Sequence, residues 1–359
     1  MGQRISLIPD LLITLPIIFL LSLGILVIYS SDPQLALQQT LIALIGLLIY
    51  WFLSSVDYHY YQHYALYLYI ITLVLLVIVF ILGIETRGSL RWIPLGPVQI
   101  QPSEMAKPVL IIFLANFWVT HLPSWKNILK SCLIVLPFLA LVFKQPDLGT
   151  SLTLGMIWLM MVVGANISWL KLLAMGLVSS VLTPLGWLFL KDYQKMRIMS
   201  FISPDQDPLG TGYNVIQSKI AVGSGSFWGR GLGHGTQSRL RFLPEYRTDF
   251  MFASMAEEFG FLGSLIVLAL YGTLIFRSLI IIRLSHERFG SLLIFGVLGM
   301  LFFQIVVNIG MNIGSLPVTG ITLPLLSYGG SSLISTLISL SFIVSVARFG
   351  IRHVPSIDT

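Results

Sequence analysis

The sequence predicts an all-α fold, a polytopic integral membrane protein of about ten transmembrane helices with a large extracytoplasmic loop between spans 7 and 8. Three observations predict it. Of the 359 residues, 56% are hydrophobic and only 10% charged, with a mean hydropathy of +0.88, far too little polar surface for a soluble chain of this length. The apolar residues fall in repeated runs near the ~20 residues that a helical span needs. Those runs are continuous and do not alternate, which argues against a β-barrel and for helices that pair their own backbone groups in lipid.

Ten spans are expected at roughly 11–30, 36–54, 63–84, 103–121, 128–143, 147–164, 167–190, 257–283, 291–312 and 328–348. Residues 1–359 read as one membrane domain, and 191–256 as an extracytoplasmic loop within it. The first run follows Met-Gly-Gln-Arg and has no small-residue cleavage site, so it is expected to be an uncleaved span. Cys132 is the single cysteine, which excludes an internal disulfide and a thiolate zinc cluster. The six histidines show no metal-ligand spacing.

Orientation follows from Lys and Arg. With the N-terminus in the cytoplasm, Arg4, Lys126, Lys130, Lys171, Arg277, Arg283, Arg288, Arg348 and Arg352 all fall inside. The short outer loops carry only Arg87 and Arg91, with Lys107 and Lys144 at span ends. An even number of spans places both termini in the cytoplasm. The exception is the long loop, where residues 191–249 hold eight basic residues against Asp192, Asp205, Asp207, Glu245 and Asp249, net +3. A loop of this length is translocated regardless of charge. Its apolar stretches "YNVIQSKIAVG" and "FWGRGLG" predict short helices lying in the membrane interface. An outward basic surface there suits an anionic, lipid-linked ligand.

Ionisable residues at span ends are candidates for function because burying charge in lipid is costly. In "RWIPLGPVQIQPSEMAKPVLI", Ser103 reads as an N-cap, and Glu104 and Lys107 share one helix face, as a local ion pair or as an acid and a base at the outer mouth. Asp147 in "FKQPDLGTSL" reads as a cap with Thr150 and Ser151 nearby. Arg197, Gln217, Ser218 and Lys219 offer donors for phosphate oxygens, or snorkel to the interface. "GSGSFWGRGLGHG" has six glycines in thirteen residues, a flexible loop or a backbone that must approach something closely. In "FLPEYRTDFMFASMAEEFG", Asp249 reads alone as an N-cap, but three carboxylates so close together, Asp249, Glu257 and Glu258, are hard to explain by capping only. All five regions fall on one predicted side, which favours a shared polar cavity opening outward.

The blocks "RWIPLGPVQIQPSEMAK", "QPDLGTSL", "DPLGTGYNVIQSKIAVGSG", "GRGLGHGTQSRLRFLPEYRTDFMFASMAEEFG" and "LPVTGITLPLLSYGGSS" resemble the SEDS family of bacterial membrane proteins, which includes RodA and FtsW. "QPDLGTSL" and "GTQSRLRFLPE" are more similar to the elongation member, RodA, than to the division member, FtsW. The resemblance implies a glycosyltransferase that polymerises lipid II into glycan strands at the outer leaflet of the bacterial cytoplasmic membrane. It also implies a class B penicillin-binding protein as transpeptidase partner and other elongation-complex membrane proteins, and no nucleic acid. By the family's motifs, the required acid maps to Asp249, and a further acid and lysine to Glu104 and Lys107. The chain departs from the family where Met105 and Pro108 replace the commoner Phe and Leu, and where Arg247 replaces a common His.

The implied reaction forms a β-1,4 bond from an α-linked glycosyl pyrophosphate, a single inverting displacement. It needs a carboxylate to take the proton of the attacking hydroxyl and cations to stabilise the departing pyrophosphate. Asp249 is the expected base, with Glu104 second. Lys107, Arg197, Lys219 and Arg91 are the expected cations, with Gln217, Ser218, Asp147, Glu245 and Thr248 completing the binding surface. No motif demands a metal, although a divalent Mg or Mn ion held by carboxylates and pyrophosphate stays open. A lipid II flippase is the competing expectation, and a scaffold a third. A flippase predicts charges along a path through the midplane, whereas these acids and bases gather near one face.

Overall fold

In the computed structural model, residues 10–86, 89–95, 98–203, 210, 212–240 and 242–351 are described. Arg4, Arg87 and Arg352, and in the long loop Asp205, Asp207 and Arg241, lie outside the described residues. All ten expected spans are helices. They are α1 (Leu11–Ser31), α2 (Pro33–Ser54), α3 (His59–Leu82), α4 (Pro102–Thr120), α5 (Trp125–Lys144), α6 (Leu148–Gly164), α7 (Trp169–Gly186), α11 (Met251–Leu284), α12 (Arg288–Asn312) and α13 (Gly330–Phe349). Among the described residues, eight are long and apolar enough to cross a membrane; α6 falls short in length, and α4 carries Glu104 and Lys107 in its first two turns. The chain is a multi-pass, all-α membrane protein.

Two features were not expected. A small antiparallel sheet, β1 (Ile84–Thr86), β2 (Ser89–Leu95) and β3 (Val98–Ile100), in that order, joins α3 to α4. The long connection is also shorter and more ordered than its predicted limits. It holds α8 (Asp192–Ile202), α9 (Tyr213–Ser224) and the single turn α10 (Thr236–Arg239), and α11 begins at Met251 where the span was expected from 257. "YNVIQSKIAVG" is helical as expected, but "FWGRGLG" forms turns.

The interior belongs to α12 and α13. Seventy-two per cent of the apolar stretch of each is buried, against none of that of α7. Helix α13 packs on α2, and α12 on α6 and α4. At one end of the bundle, Arg277 holds the α1 cap Asp10 with two bonds, 2.9 and 2.7 Å, to one carboxylate oxygen. The other end carries the long connection and most of the polar burial.

Helix α11 is two helices broken at Gly260, whose φ of 67° and ψ of −160° leave the helical region. The break removes the backbone bonds that Phe261 and Leu262 would have made to Glu257 and Glu258. The glycine-rich turn replaces both. Phe261 N and Leu262 N donate to Ser226 O and Phe227 O at 2.9 and 3.2 Å, while Arg230 N and Gly231 N donate to Glu257 O and Glu258 O at 3.0 Å each. The approach is so close that a Cβ on Gly260 would lie 2.3 Å from Gly229 N. Here the glycines bring backbone to backbone, and the partner is the protein's own helix.

Gly260→Ala is therefore expected to cost about 3 kcal/mol or more, from a left-handed backbone and the overlap with Gly229. Gly155→Ala in α6, where an added Cβ meets nothing within 4 Å, is expected to be neutral or to stabilise by about 0.5–1 kcal/mol. Thermal unfolding of both variants in detergent measures the difference.

Candidate active site

Asp147 caps α6. Its carboxylate accepts from Thr150 N at 3.1 Å, Thr150 Oγ1 at 2.9 Å and Gln101 Nε2 at 3.0 Å. Gln101, not Ser103, occupies the cap position of α4, because Pro102 is fixed at a helical φ and starts the helix one residue earlier. Ser103 is buried beneath it and receives Gln101 Nε2 at 3.0 Å. One turn on, Lys107 Nζ lies 2.5 Å from Glu104 Oε2 with both side chains buried. Ser335 Oγ of α13 donates to Glu104 O at 2.6 Å. Arg91 of β2 donates to the carbonyls of Gln145 and Pro146, the first at 2.9 Å, so it braces the turn leading into Asp147.

Across the α12–α13 connection stands a second group. The cap position of α11 is Phe250, so Asp249 precedes the helix and does not cap it. Asn308 Nδ2 and Asn312 Nδ2 of α12 donate to the Asp249 carbonyl at 2.9 and 3.1 Å. Asn308 Nδ2 also donates to Ile321 O at 2.7 Å, and Asn312 Oδ1 accepts from Ala253 N at 2.9 Å. Both asparagines are fully buried. These bonds set Gly320 beside Asp249. Asp249 Oδ2 and Arg197 Nη1, the latter from α8, each lie 3.6 Å from where a Cβ on Gly320 would stand. The segment 319–321 also abuts the first turn of α6, since a Cβ on Gly149 would lie 3.0 Å from Thr319 O. The strip 319–321 thus touches both the Asp249 group and the first turn of α6, which Asp147 caps.

From α9, Ser218 Oγ donates to Asn312 O at 2.7 Å, and the Lys219 stem lies over Gly314. Gln217 is half-buried on the same helix. Thr248 Oγ1 donates to Glu245 Oε2 at 3.0 Å, and Ser327 Oγ to Thr248 O at 2.6 Å. Arg247 turns to Asp32, at 3.2 Å, and to Ser31 Oγ, at 3.2 Å, tying the approach of α11 to the α1–α2 turn. Tyr328 sits beside this pair. Burial first, then the Asp32 carboxylate, push its phenol above the ordinary tyrosine value against an opposing effect of Arg247. The protonated hydroxyl donates to Gln38 Oε1 at 3.0 Å.

Glu257 has a different task. Its carboxylate accepts from the backbone N–H groups of Thr236, Gln237 and Ser238 and from the hydroxyls of Thr236 and Ser238. It caps α10 from another helix. Glu258 accepts from Ser30 Oγ at 2.6 Å and fastens the end of α1. Sequence reasoning missed Asn308 and Asn312. Their signal was present: two amides four residues apart on one face of an apolar span.

The profile of the cell cycle protein family FtsW/RodA/SpoVE matches residues 3–351. The chain belongs to this family. Among FtsW/RodA/SpoVE relatives, it is 42% identical over 351 residues to the peptidoglycan glycosyltransferase MrdB of Escherichia coli K12, covering 96% of this chain and 94% of that one. It is 36% identical to stage V sporulation protein E of Bacillus subtilis, covering 95% and 97%. The rod shape determining protein RodA of Thermus thermophilus matches with a TM-score of 0.73 at 30% identity, covering 97% of this chain and 99% of that one. A chain solved in work on the coordination of polymerization and crosslinking by a peptidoglycan synthase complex matches with a TM-score of 0.83 at 32% identity, covering 95% and 98%.

The buried Glu104–Lys107 pair carries a stability prediction. Lys107→Met alone leaves a buried carboxylate uncompensated and is expected to cost about 3–5 kcal/mol. Adding Glu104→Gln is expected to recover most of that loss. Unfolding midpoints of the single and double variants test the coupling.

Proposed function

We propose that this protein is a peptidoglycan glycosyltransferase that polymerises lipid II into β-1,4-linked glycan strands, with inversion and release of undecaprenyl pyrophosphate. The observation that carries the reading is the convergence of Asp249 Oδ2 and Arg197 Nη1 on one point beside Gly320. A carboxylate and a guanidinium converging there can hold an attacking hydroxyl and the charge that develops opposite it. Full-length kinship with peptidoglycan glycosyltransferases supports the same chemistry.

In this reading, Asp249 takes the proton from the acceptor's 4-hydroxyl as its oxygen attacks the donor's anomeric carbon. The new C–O bond forms as the bond to pyrophosphate breaks, and its electron pair leaves with the phosphate. Arg197 and Lys219, with Gln217 on the same helix as Lys219, stabilise the departing anion, while Ser218, expected as a further donor, is buried and spends its hydroxyl proton on Asn312 O. Asp147 stands at the first turn of α6, on which residues 319–321 rest, with the Glu104–Lys107 pair one turn along α4 from its partner Gln101, and Arg91, Glu245 and Thr248 hold the surrounding turns in place. A divalent Mg or Mn ion would draw most of its ligands from pyrophosphate, since among the described residues no three His, Cys, Asp or Glu side chains are grouped to hold one.

The role in elongation is favoured over division. Identity to MrdB is 42%, against 32–39% to the FtsW relatives. The synthase-complex relative supports a crosslinking partner, of the class B penicillin-binding type, working with other elongation-complex membrane proteins. The excess of Lys and Arg on one side supports both termini in the cytoplasm, and kinship with bacterial peptidoglycan glycosyltransferases supports the bacterial inner membrane.

Asp249→Ala is expected to fold with a near-unchanged unfolding midpoint and to make no glycan from lipid II. Wild-type-like ladders on a gel from that variant would reject its role. The wild-type protein incubated with lipid II separates the other readings: polymer marks an enzyme, lipid protected across vesicles a flippase, and neither a scaffold.

A further inference from the structure

Gly320 stands at the meeting point of the two reacting groups, and its missing side chain is itself a structural element. Apart from Gly320 itself and its two chain neighbours, only two atoms of the described residues lie within 4 Å of the position its Cβ would take, Asp249 Oδ2 and Arg197 Nη1, each at 3.6 Å. Both distances are ordinary van der Waals contacts, so a methyl group would fit without overlap and would touch both groups. By the triangle rule, twice 3.6 Å bounds their separation at about 7.2 Å. A hydroxyl oxygen hydrogen-bonded to both needs about 2.7–2.9 Å to each. A side chain at residue 320 would compete with such an oxygen for the space beside both groups.

The position of this glycine is gauged from behind. Asn308 Nδ2 bridges the carbonyls of Asp249 and Ile321, fixing the residue after Gly320 relative to the backbone of Asp249. On the other side, Thr319–Ile321 rests on the first turn of α6 at Gly149. These contacts fix the strip, so a side chain at residue 320 would stay against Asp249 and Arg197.

We propose that Gly320 is a positioning residue that sets the size of the seat for the attacking sugar hydroxyl, holding open the space between Asp249 and Arg197. This rests on the glycosyltransferase reading above. The glycine also has a φ of 75°, which an L residue adopts only with strain, so backbone and space must be separated. Gly233 provides the control. Its φ is 73°, and a Cβ there meets nothing within 4 Å. Both alanine variants put a side chain at nearly the same positive φ, and only one meets Asp249 and Arg197.

The experiment compares wild type, Asp249→Asn, Gly320→Ala and Gly233→Ala, full-length in detergent, by initial rate of lipid II polymerisation and by unfolding midpoint. Gly233→Ala is expected to keep its rate within about twofold, and Gly320→Ala to lose on the order of 100-fold at a similar midpoint, as displacement of a reacting atom by about 1 Å does. Equal rates for the two alanine variants would overturn the inference. If Gly320→Ala does not fold, Gly320→Asn replaces it, because asparagine tolerates the left-handed backbone. A folded, active Asn variant overturns the proposal, and a folded, inactive one supports it. Wild-type rates from Asp249→Asn would instead reject the base assignment, whatever Gly320 does.

Discussion

The side-chain amide of Asn308 is the contact on which the candidate site depends. Wholly buried, it donates to the carbonyls of Asp249 and Ile321 and so joins two irregular stretches of chain, one before α11 and one after α12. Neither stretch can satisfy those carbonyls within its own secondary structure. A buried carbonyl without a donor costs about 1–3 kcal/mol, and more where the dielectric is low. Asn312, one turn further along α12, repeats the bond to Asp249 and adds one from Ala253. A rigid interior helix thereby dictates the spacing between an acid and the loop that faces it.

The charges gathered before and within α11 do separate work. Arg247 and Glu258 fasten the two ends of the α1–α2 turn through Asp32 and Ser30. Glu257 organises α10 by accepting five hydrogen bonds. Asp249 alone stands where a second chemical group, Arg197, converges with it. The fasteners hold the long connection against the bundle, and α8 and α9 in that connection bring Arg197 and Lys219 to the site.

The helices were legible because each is long and apolar, and lipid leaves such a run little choice but to close its own hydrogen bonds. The start of α11 was not. Met251–Phe259 carries two acids and is buried by protein, so neither hydropathy nor a capping residue marked it. Asp147 was readable as a cap because its partner Thr150 is three residues away. Glu257 was not, because its partners lie some twenty residues upstream and meet it only in three dimensions. Attention to ionisable groups found Asp249, Arg197 and the Glu104–Lys107 pair. It passed over the neutral amides of Asn308 and Asn312, which position Asp249.

The exchange of backbone bonds between residues 226–231 and the break at Gly260 also bears on how the protein is made. The chain grows from its N-terminus, so the glycine-rich turn is synthesised before the helix it completes. Until the two meet, α11 must either run straight through Gly260 or leave four peptide groups unpaired near lipid. Docking of the turn is therefore a folding step for the helix that follows it, and the order of synthesis supplies the missing half of the ladder in time.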